Sequence, residues 1–251
     1  MNAEKIGRIV WHDLFSSDRQ RSMEFYGHVA GWQYETEHAT DFAWGGGEKD
    51  FVLALLDGEA GAGIAQTPEA FPNSWIAYVE VADVDTACAQ AENLGGTILR
   101  EPFEVPGVGR NALLRDPAGA LIGLALSRHD YPAPTRQFGP EVYLAGQSEF
   151  PAGFYSKLFG WTCSTEPDGA DGERRIVGSS SIDIARYPSC VVAGKQAMWL
   201  PGIRVANAQS AAREAKLQGA RLLGDRPAKG EENTPLLIRD PEGATISFAT
   251  I

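Results

Sequence analysis

Residues 8–14 (RIVWHDL) form a short run rich in β-branched and aromatic side chains, which predicts a strand. Ser17-Asp18-Arg19-Gln20 follows with the spacing of a capping box, Ser17 as N-cap and Gln20 three residues on. A helix is therefore expected to about Ala30, with Gly31 suited to its C-terminal turn. Residues 51–56 (FVLALL) and 75–81 (WIAYVEV) read as further strands, the first of them buried. Val84, Ala87, Cys88, Ala91 and Leu94 keep the i, i+3, i+4, i+7 spacing of an amphipathic helix, stopped by Gly95-Gly96. Residues 112–115 and 121–126 are expected to be strands joined by a turn at Asp116-Pro117-Ala118-Gly119. Gly45-Gly46-Gly47 precedes no helix signal, so it reads as a hairpin turn and not as a phosphate cradle.

The same pattern then returns. Phe25-Tyr26 and Gly31-Trp32 recur as Phe154-Tyr155 and Gly160-Trp161, all 129 residues on. Trp75 recurs as Trp199, and the Asp116-Pro117 turn as Asp240-Pro241, both 124 residues on. Ala208, Ala211, Ala212 and Ala215 repeat the second helix at that same offset. One loop of the second copy is thus shorter. The stretch SRHDYPAPTRQFGP carries three prolines and no apolar period, as a linker does. The expected organisation is a first domain over residues 1–128, a linker over 129–138 and a second domain over 139–251. Each copy reads strand–helix–strands twice. The chain is then four modules, each too small to bury a core alone, so the modules must pair.

Composition narrows the function. The net charge of −11 leaves no basic face for phosphates, which argues against a nucleic-acid partner. No run of about 18 apolar residues exists, so no membrane span is expected. The amino-terminal residues show no signal-peptide pattern. Cys88, Cys163 and Cys190 are odd in number and lack CxxC spacing, which speaks against a disulfide framework and for a reducing, cytoplasmic setting.

The helix ends EFYGHVAGW and GFYSKLFGW, the WxxYVxV strand and the DPxGA turn resemble the vicinal oxygen chelate superfamily, the group of glyoxalase I, bleomycin-resistance proteins and extradiol dioxygenases. The resemblance spans both copies and is weaker at the start of the second, where EVYLAGQSEFPAG departs from the strand-and-cap pattern. It implies an α+β fold of two tandem domains. Each would pair two βαβββ modules in a curled sheet around a small-molecule groove. In the family's enzymes that groove holds a divalent metal through His and Glu, and the metal acts as a Lewis acid.

The family register puts those ligand positions at Trp11, near Ile76, and at Gly123 in copy one with Ser247 in copy two; the middle strand FVLALL supplies no carboxylate. None of these offers imidazole or carboxylate, so the usual metal is not expected and no cofactor is implied. The same register turns Trp11 and Asp13, and Ile76, Tyr78 and Glu80, toward the groove. Val10, His12 and Leu14 would face the helices. Trp11 either walls a ligand or fills an empty groove. Asp13 is a general-base or anchor candidate, or a strand-end carboxylate that caps a turn. Glu80 is matched by Arg204 in copy two, either because the two grooves differ or because both are solvated strand-end charges. His12 reads as a buried, hydrogen-bonded histidine and Cys88 as an inert core thiol. The expected partner is a small molecule, bound by a monomer or homodimer. The alternatives are an enzyme of the glyoxalase or dioxygenase type with a divergent metal site or with acid–base chemistry from Asp13 and Glu80, and an interaction module with a filled groove.

Overall fold

The computed structural model describes residues 4–38, 50–66, 72–146, 148–165, 174–178, 181–187, 197–223 and 236–250. The glycine triplet 45–47 and Cys190 lie outside them. The first copy contains β1 (Ile9–Ser16), α1 (Arg19–Ala30), β2 (Gln33–His38), β3 (Asp50–Leu56), β4 (Glu59–Gln66), β5 (Ser74–Glu80), α2 (Val84–Asn93), β6 (Thr97–Val105), β7 (Gly109–Arg115) and β8 (Leu121–Ser127). The second contains β9 (Phe138–Leu144), α3 (Ala152–Phe159), β10 (Thr162–Thr165), β11 (Arg174–Val177), β12 (Asp183–Tyr187), β13 (Met198–Val205), α4 (Ala208–Leu217), β14 (Arg221–Leu223), β15 (Leu237–Arg239) and β16 (Thr245–Thr250).

The strands form two eight-stranded mixed sheets, ordered β2-β3-β4-β1-β5-β8-β7-β6 and β10-β11-β12-β9-β13-β16-β15-β14. The second order repeats the first, element for element. The fold is α+β, with two tandem glyoxalase-like sheets and four α-helices among the described residues. No described helix is long and apolar enough to cross a membrane.

The helix boundaries follow from local hydrogen bonding. Asp18, not Ser17, caps α1: its carboxylate accepts the Arg21 N–H at 3.0 Å. The hydroxyl of Ser17 is instead engaged by Glu242 and Asn73. A carboxylate at the N-cap also meets the positive end of the helix dipole, which a hydroxyl cannot do as a charge. Gly31 and Gly160 end α1 and α3 in the left-handed conformation, with φ of 71° and 72°. Asp83 and Asn207 cap α2 and α4 in the same way as each other.

The residues pack as two compact units. One comprises Met1–Trp11, Ile76–Ala133 and Val142–Trp199; the other comprises His12–Trp75, Pro134–Glu141 and Leu200–Ile251. Each unit therefore joins half of one copy to half of the other. In the first unit, Val79, Cys88, Leu114 and Leu124 share a core with Tyr155 and Trp161. In the second, Tyr26, Trp32 and Trp75 share a core with Ala212 and Phe248. The modules do pair to complete a core, and each core takes its partners from both copies.

Candidate functional site

The residues that advertise the repeat build two buried polar links. In the second unit, Trp75 Nε1 donates to the Tyr26 hydroxyl at 2.8 Å, and that hydroxyl donates to Asp240 Oδ2 at 2.9 Å. In the first unit, Trp199 Nε1 donates to the Tyr155 hydroxyl at 2.7 Å, which donates to Asp116 Oδ2 at 2.8 Å. The other oxygen of each aspartate accepts backbone N–H groups of its own DPxGA turn. Burial raises the pKa of both tyrosines well above the usual phenol value and raises that of both aspartates. These are structural links between copies, with every polar atom that they join spoken for.

The face of the first sheet turned away from α2 is organised differently. Val79, Leu124, Ala112 and Leu114 point into the core. Their neighbours point the other way and form rows across the strands of the first unit. Tyr78 on β5 pairs with Gly123 on β8, Gly123 with Leu113 on β7, and Leu113 with Arg100 on β6. The next row runs Glu80, Ala125, Asn111, Phe103. A Cβ on Gly123 would stand 2.2 Å from Tyr78 Cδ1, so the tyrosine ring lies over the glycine. The Arg100 guanidinium carbon sits 3.5 Å from the centroid of the Phe103 ring. Burial lowers the pKa of this guanidinium, and the nearby Tyr78 opposes the shift. Arginine stays charged all the same.

Two expected site residues are tied up structurally. Glu80 is 5% exposed, and its two oxygens accept from Ser127 N at 2.9 Å and Ser127 Oγ at 2.7 Å. Arg204, its counterpart in copy two, donates from Nε to the Phe138 carbonyl at 2.7 Å. The expectation of solvated strand-end charges is corrected for Glu80, which is buried and fastens the end of β8; Arg204 is half-buried. Trp11, Ile76, Tyr78, Glu80 and Gly123 lie in the first unit, whereas Asp13 and Arg204 lie in the second. Asp13 is buried, and its Oδ1 lies 2.8 Å from where a Cβ of Gly63 would stand, beside the Phe51 ring.

His12 is buried and bonds through Nε2 to Glu141 Oε1 at 2.9 Å, with its ring stacked on Phe138 at 3.7 Å. The two residues hold the same position in the two copies, 129 residues apart. Glu141 Oε2 is buried without a hydrogen-bond partner among the described residues, and burial raises the pKa of this carboxyl. Burial pushes the Cys88 thiol up to about 11, which makes it a poor nucleophile. No three His, Cys, Asp or Glu side chains converge as a metal site among the described residues. The positions that the family pattern assigns to ligands carry an indole, an alkyl group, a glycine and the Ser247 hydroxyl, which donates to the Pro201 carbonyl. This donor set does not fit a divalent ion.

Residues 5–124 match the Glyoxalase/Bleomycin resistance protein/Dioxygenase superfamily. That match spans the first repeat, a little under half of the chain. Over 245 residues it is 26% identical to CFP32 of Mycobacterium tuberculosis, whose glyoxylase name is provisional; the match covers 94% of this chain and 92% of that one. It is 31% identical over 133 residues to the anthracycline biosynthesis protein DnrV of Streptomyces peucetius, covering 47% of this chain and 46% of DnrV. Among solved structures, the Mn(II)-bound glyoxalase from Novosphingobium aromaticivorans superposes with a TM-score of 0.59 at 16% identity, over 98% of this chain and 82% of that one. Homoprotocatechuate 2,3-dioxygenase from Brevibacterium fuscum, as an E323L mutant, gives 0.63 at 15% identity, over 98% and 72%. At such identities these two share the fold, and the manganese of the first belongs to that protein.

Arg100 and Asn111 escaped the sequence reading. Asn111 sits in the regular β7–β8 ladder, one residue before the strand expected from 112, whereas the placement of Arg100 depends on a bulged β6, for which Pro102 is a signal, since proline inside a strand pattern marks an edge or a bulge.

Proposed function

We propose that this is a small-molecule-binding member of the superfamily in which the chelating side chains have been replaced. One observation carries the reading: the residues at the family's ligand positions, Trp11, Ile76, Gly123 and Ser247, offer no imidazole or carboxylate. Aromatic and aliphatic walls with a few fixed polar groups are what small-ligand sites generally present. Trp11, Tyr78 and Phe103 supply such walls, and Asn111 and Arg100 the polar groups. The likeness to an anthracycline biosynthesis protein supports a ring-containing organic ligand over a small inorganic one. A Lewis-acid step has no place in this reading, because the donors that would hold the ion are of the wrong chemical type.

The test is metal analysis of the purified protein followed by titration with Ni²⁺, Zn²⁺, Fe²⁺ and Mn²⁺. Near-zero metal and no binding above the level of surface carboxylates is the expected result. One tightly bound divalent ion per chain would overturn the proposal and make a metal-dependent lyase or dioxygenase of the glyoxalase type the reading instead.

A further inference from the structure

Where the chain leaves β8 for the second copy, it meets a cluster of buried ionisable groups that the proposed function does not use. Lys5 is 4% exposed, and its Nζ donates to the Tyr131 carbonyl. Glu80 accepts from the Ser127 N–H and hydroxyl at 2.9 and 2.7 Å. The Arg128 N–H donates to the Val108 carbonyl at 2.8 Å. His129 follows. Its ring lies 5.3 Å from that of Tyr131, and its Nδ1 is buried without a hydrogen-bond partner among the described residues. Residues 127–131 are thus a strap fastened at three points: Ser127 to Glu80, Arg128 to Val108, and Tyr131 to Lys5. All of these residues belong to the first unit. The lysine occurs once, because the residue 129 positions on, at the same place in the second copy, is Pro134.

The charge on His129 decides how well this strap sits. A neutral imidazole with its proton on Nε2 leaves only a lone pair at the buried Nδ1. The imidazolium puts an N–H there with no acceptor, near the Lys5 ammonium. Burial is the largest influence on this imidazole and holds its pKa below the usual value; Lys5 acts in the same direction, and Glu80 and Asp130 oppose them. The fastened strap therefore binds fewer protons than the released one. Its stability is complete above the ordinary imidazole value and is lost as pH falls from there toward the depressed one. Release also returns the Lys5 ammonium to water, which lowers the cost of opening.

We propose that residues 127–131 form a proton-released strap: a proton on His129, placed near the buried Lys5 ammonium with no acceptor at Nδ1, loosens the chain where it passes from the first copy to the second. The inference goes beyond the small-molecule reading and does not depend on the metal titration.

Hydrogen exchange of the full chain across the imidazole range, from about pH 5 to about pH 7.5, tests this. The readout is protection of the Ser127 and Arg128 amides, corrected for the intrinsic exchange rate at each pH. Both are expected to lose protection as pH drops, by at most about tenfold per pH unit, the limit for one proton. His129→Gln should keep the high-pH protection throughout. Lys5→Met should weaken protection at every pH and let His129 take its proton at higher pH, read as an upward shift of the imidazole midpoint by NMR. Protection that stays flat with pH in the wild type overturns the proposal. So does a His129→Gln profile as steep as the wild type's, or a His129 midpoint that Lys5→Met leaves unmoved.

Discussion

Tyr26 and Tyr155 hold the same place in the two copies and make the same two hydrogen bonds, whereas Tyr78 and Gly202, also equivalent, have nothing in common. The first pair lies under the helices, where each copy must join the other to close a core. The second lies on the helix-distal face, where Tyr78 is also buried, its ring packed over Gly123. What the repeat has kept is therefore the set of residues that couple the copies. What it has let diverge includes the ring-on-glycine contact of the helix-distal face.

The largest effects should come from breaking the shared links. Tyr26→Phe removes a hydroxyl that serves Trp75 and Asp240. Each orphaned buried partner costs about 1–3 kcal/mol, so a loss of roughly 3 kcal/mol is expected. Tyr155→Phe breaks the equivalent bonds, but Asp116 keeps the Tyr143 hydroxyl at 2.9 Å, and a loss of about 2 kcal/mol should follow. The position equivalent to Tyr143 in the first copy is Leu14, so Asp240 has no such second phenol. Urea unfolding of both variants measures the difference. Equal losses would mean that Tyr143 gives Asp116 no support.

How legible all this was in the sequence depends on which face a residue serves. The repeated FY, GW, Trp and DPxGA motifs gave away the architecture because they are buried and constrained by partners. Their role as hydrogen-bonded links was hidden, since Tyr26 and Asp240 are 214 residues apart in sequence and no local pattern joins them. Asp18 was passed over for Ser17 because both residues make good N-caps, and only the Asn73 and Glu242 contacts to Ser17 decide between them. β4 (EAGAGIAQ) was missed because its glycines and alanines carry no strand propensity. Gly63 is there for a reason of space: a Cβ would stand 1.9 Å from Phe51 Cζ. Arg100 was invisible because a bulge, and not the alternation of the pattern, decides where it points.

A middle-sized effect should separate the two helix-distal faces. Gly123→Ala puts a methyl against the Tyr78 ring, which is 2% exposed and cannot swing into open solvent without losing its packing. A cost of about 1–3 kcal/mol is expected from overpacking. Ser247→Ala, at the equivalent place in copy two, removes only the 3.2 Å bond to the Pro201 carbonyl and should cost about 1 kcal/mol or less. If both substitutions cost the same, the Tyr78–Gly123 contact is not a specialised feature of the first copy.

The smallest effect concerns a place where equivalent residues of the two copies touch. His12 and Glu141 share a position, yet one is an imidazole and the other a carboxyl, so the contact is a heterotypic pair and not a mirrored one. Burial raises the Glu141 pKa, with His12 and the Gly202 backbone opposing the shift. A carboxyl raised in the folded state holds its proton after the unfolded chain has released its own. Stability is therefore lost as pH climbs from the ordinary carboxylate range through the raised folded value. Glu141→Gln cannot titrate, so its cost of about 1 kcal/mol at low pH, from a weakened bond to His12, should shrink as pH rises. Asp116 and Asp240 are also raised by burial and give a slope of the same sign, but they do so in both proteins and cancel in the difference. Thermal unfolding of wild type and variant from about pH 4 to pH 8, spanning the ordinary carboxylate and imidazole ranges, reads this directly. Parallel profiles would mean that Glu141 stays ionised in the fold as an ion pair with His12, and that burial has less hold on this carboxyl than the geometry implies.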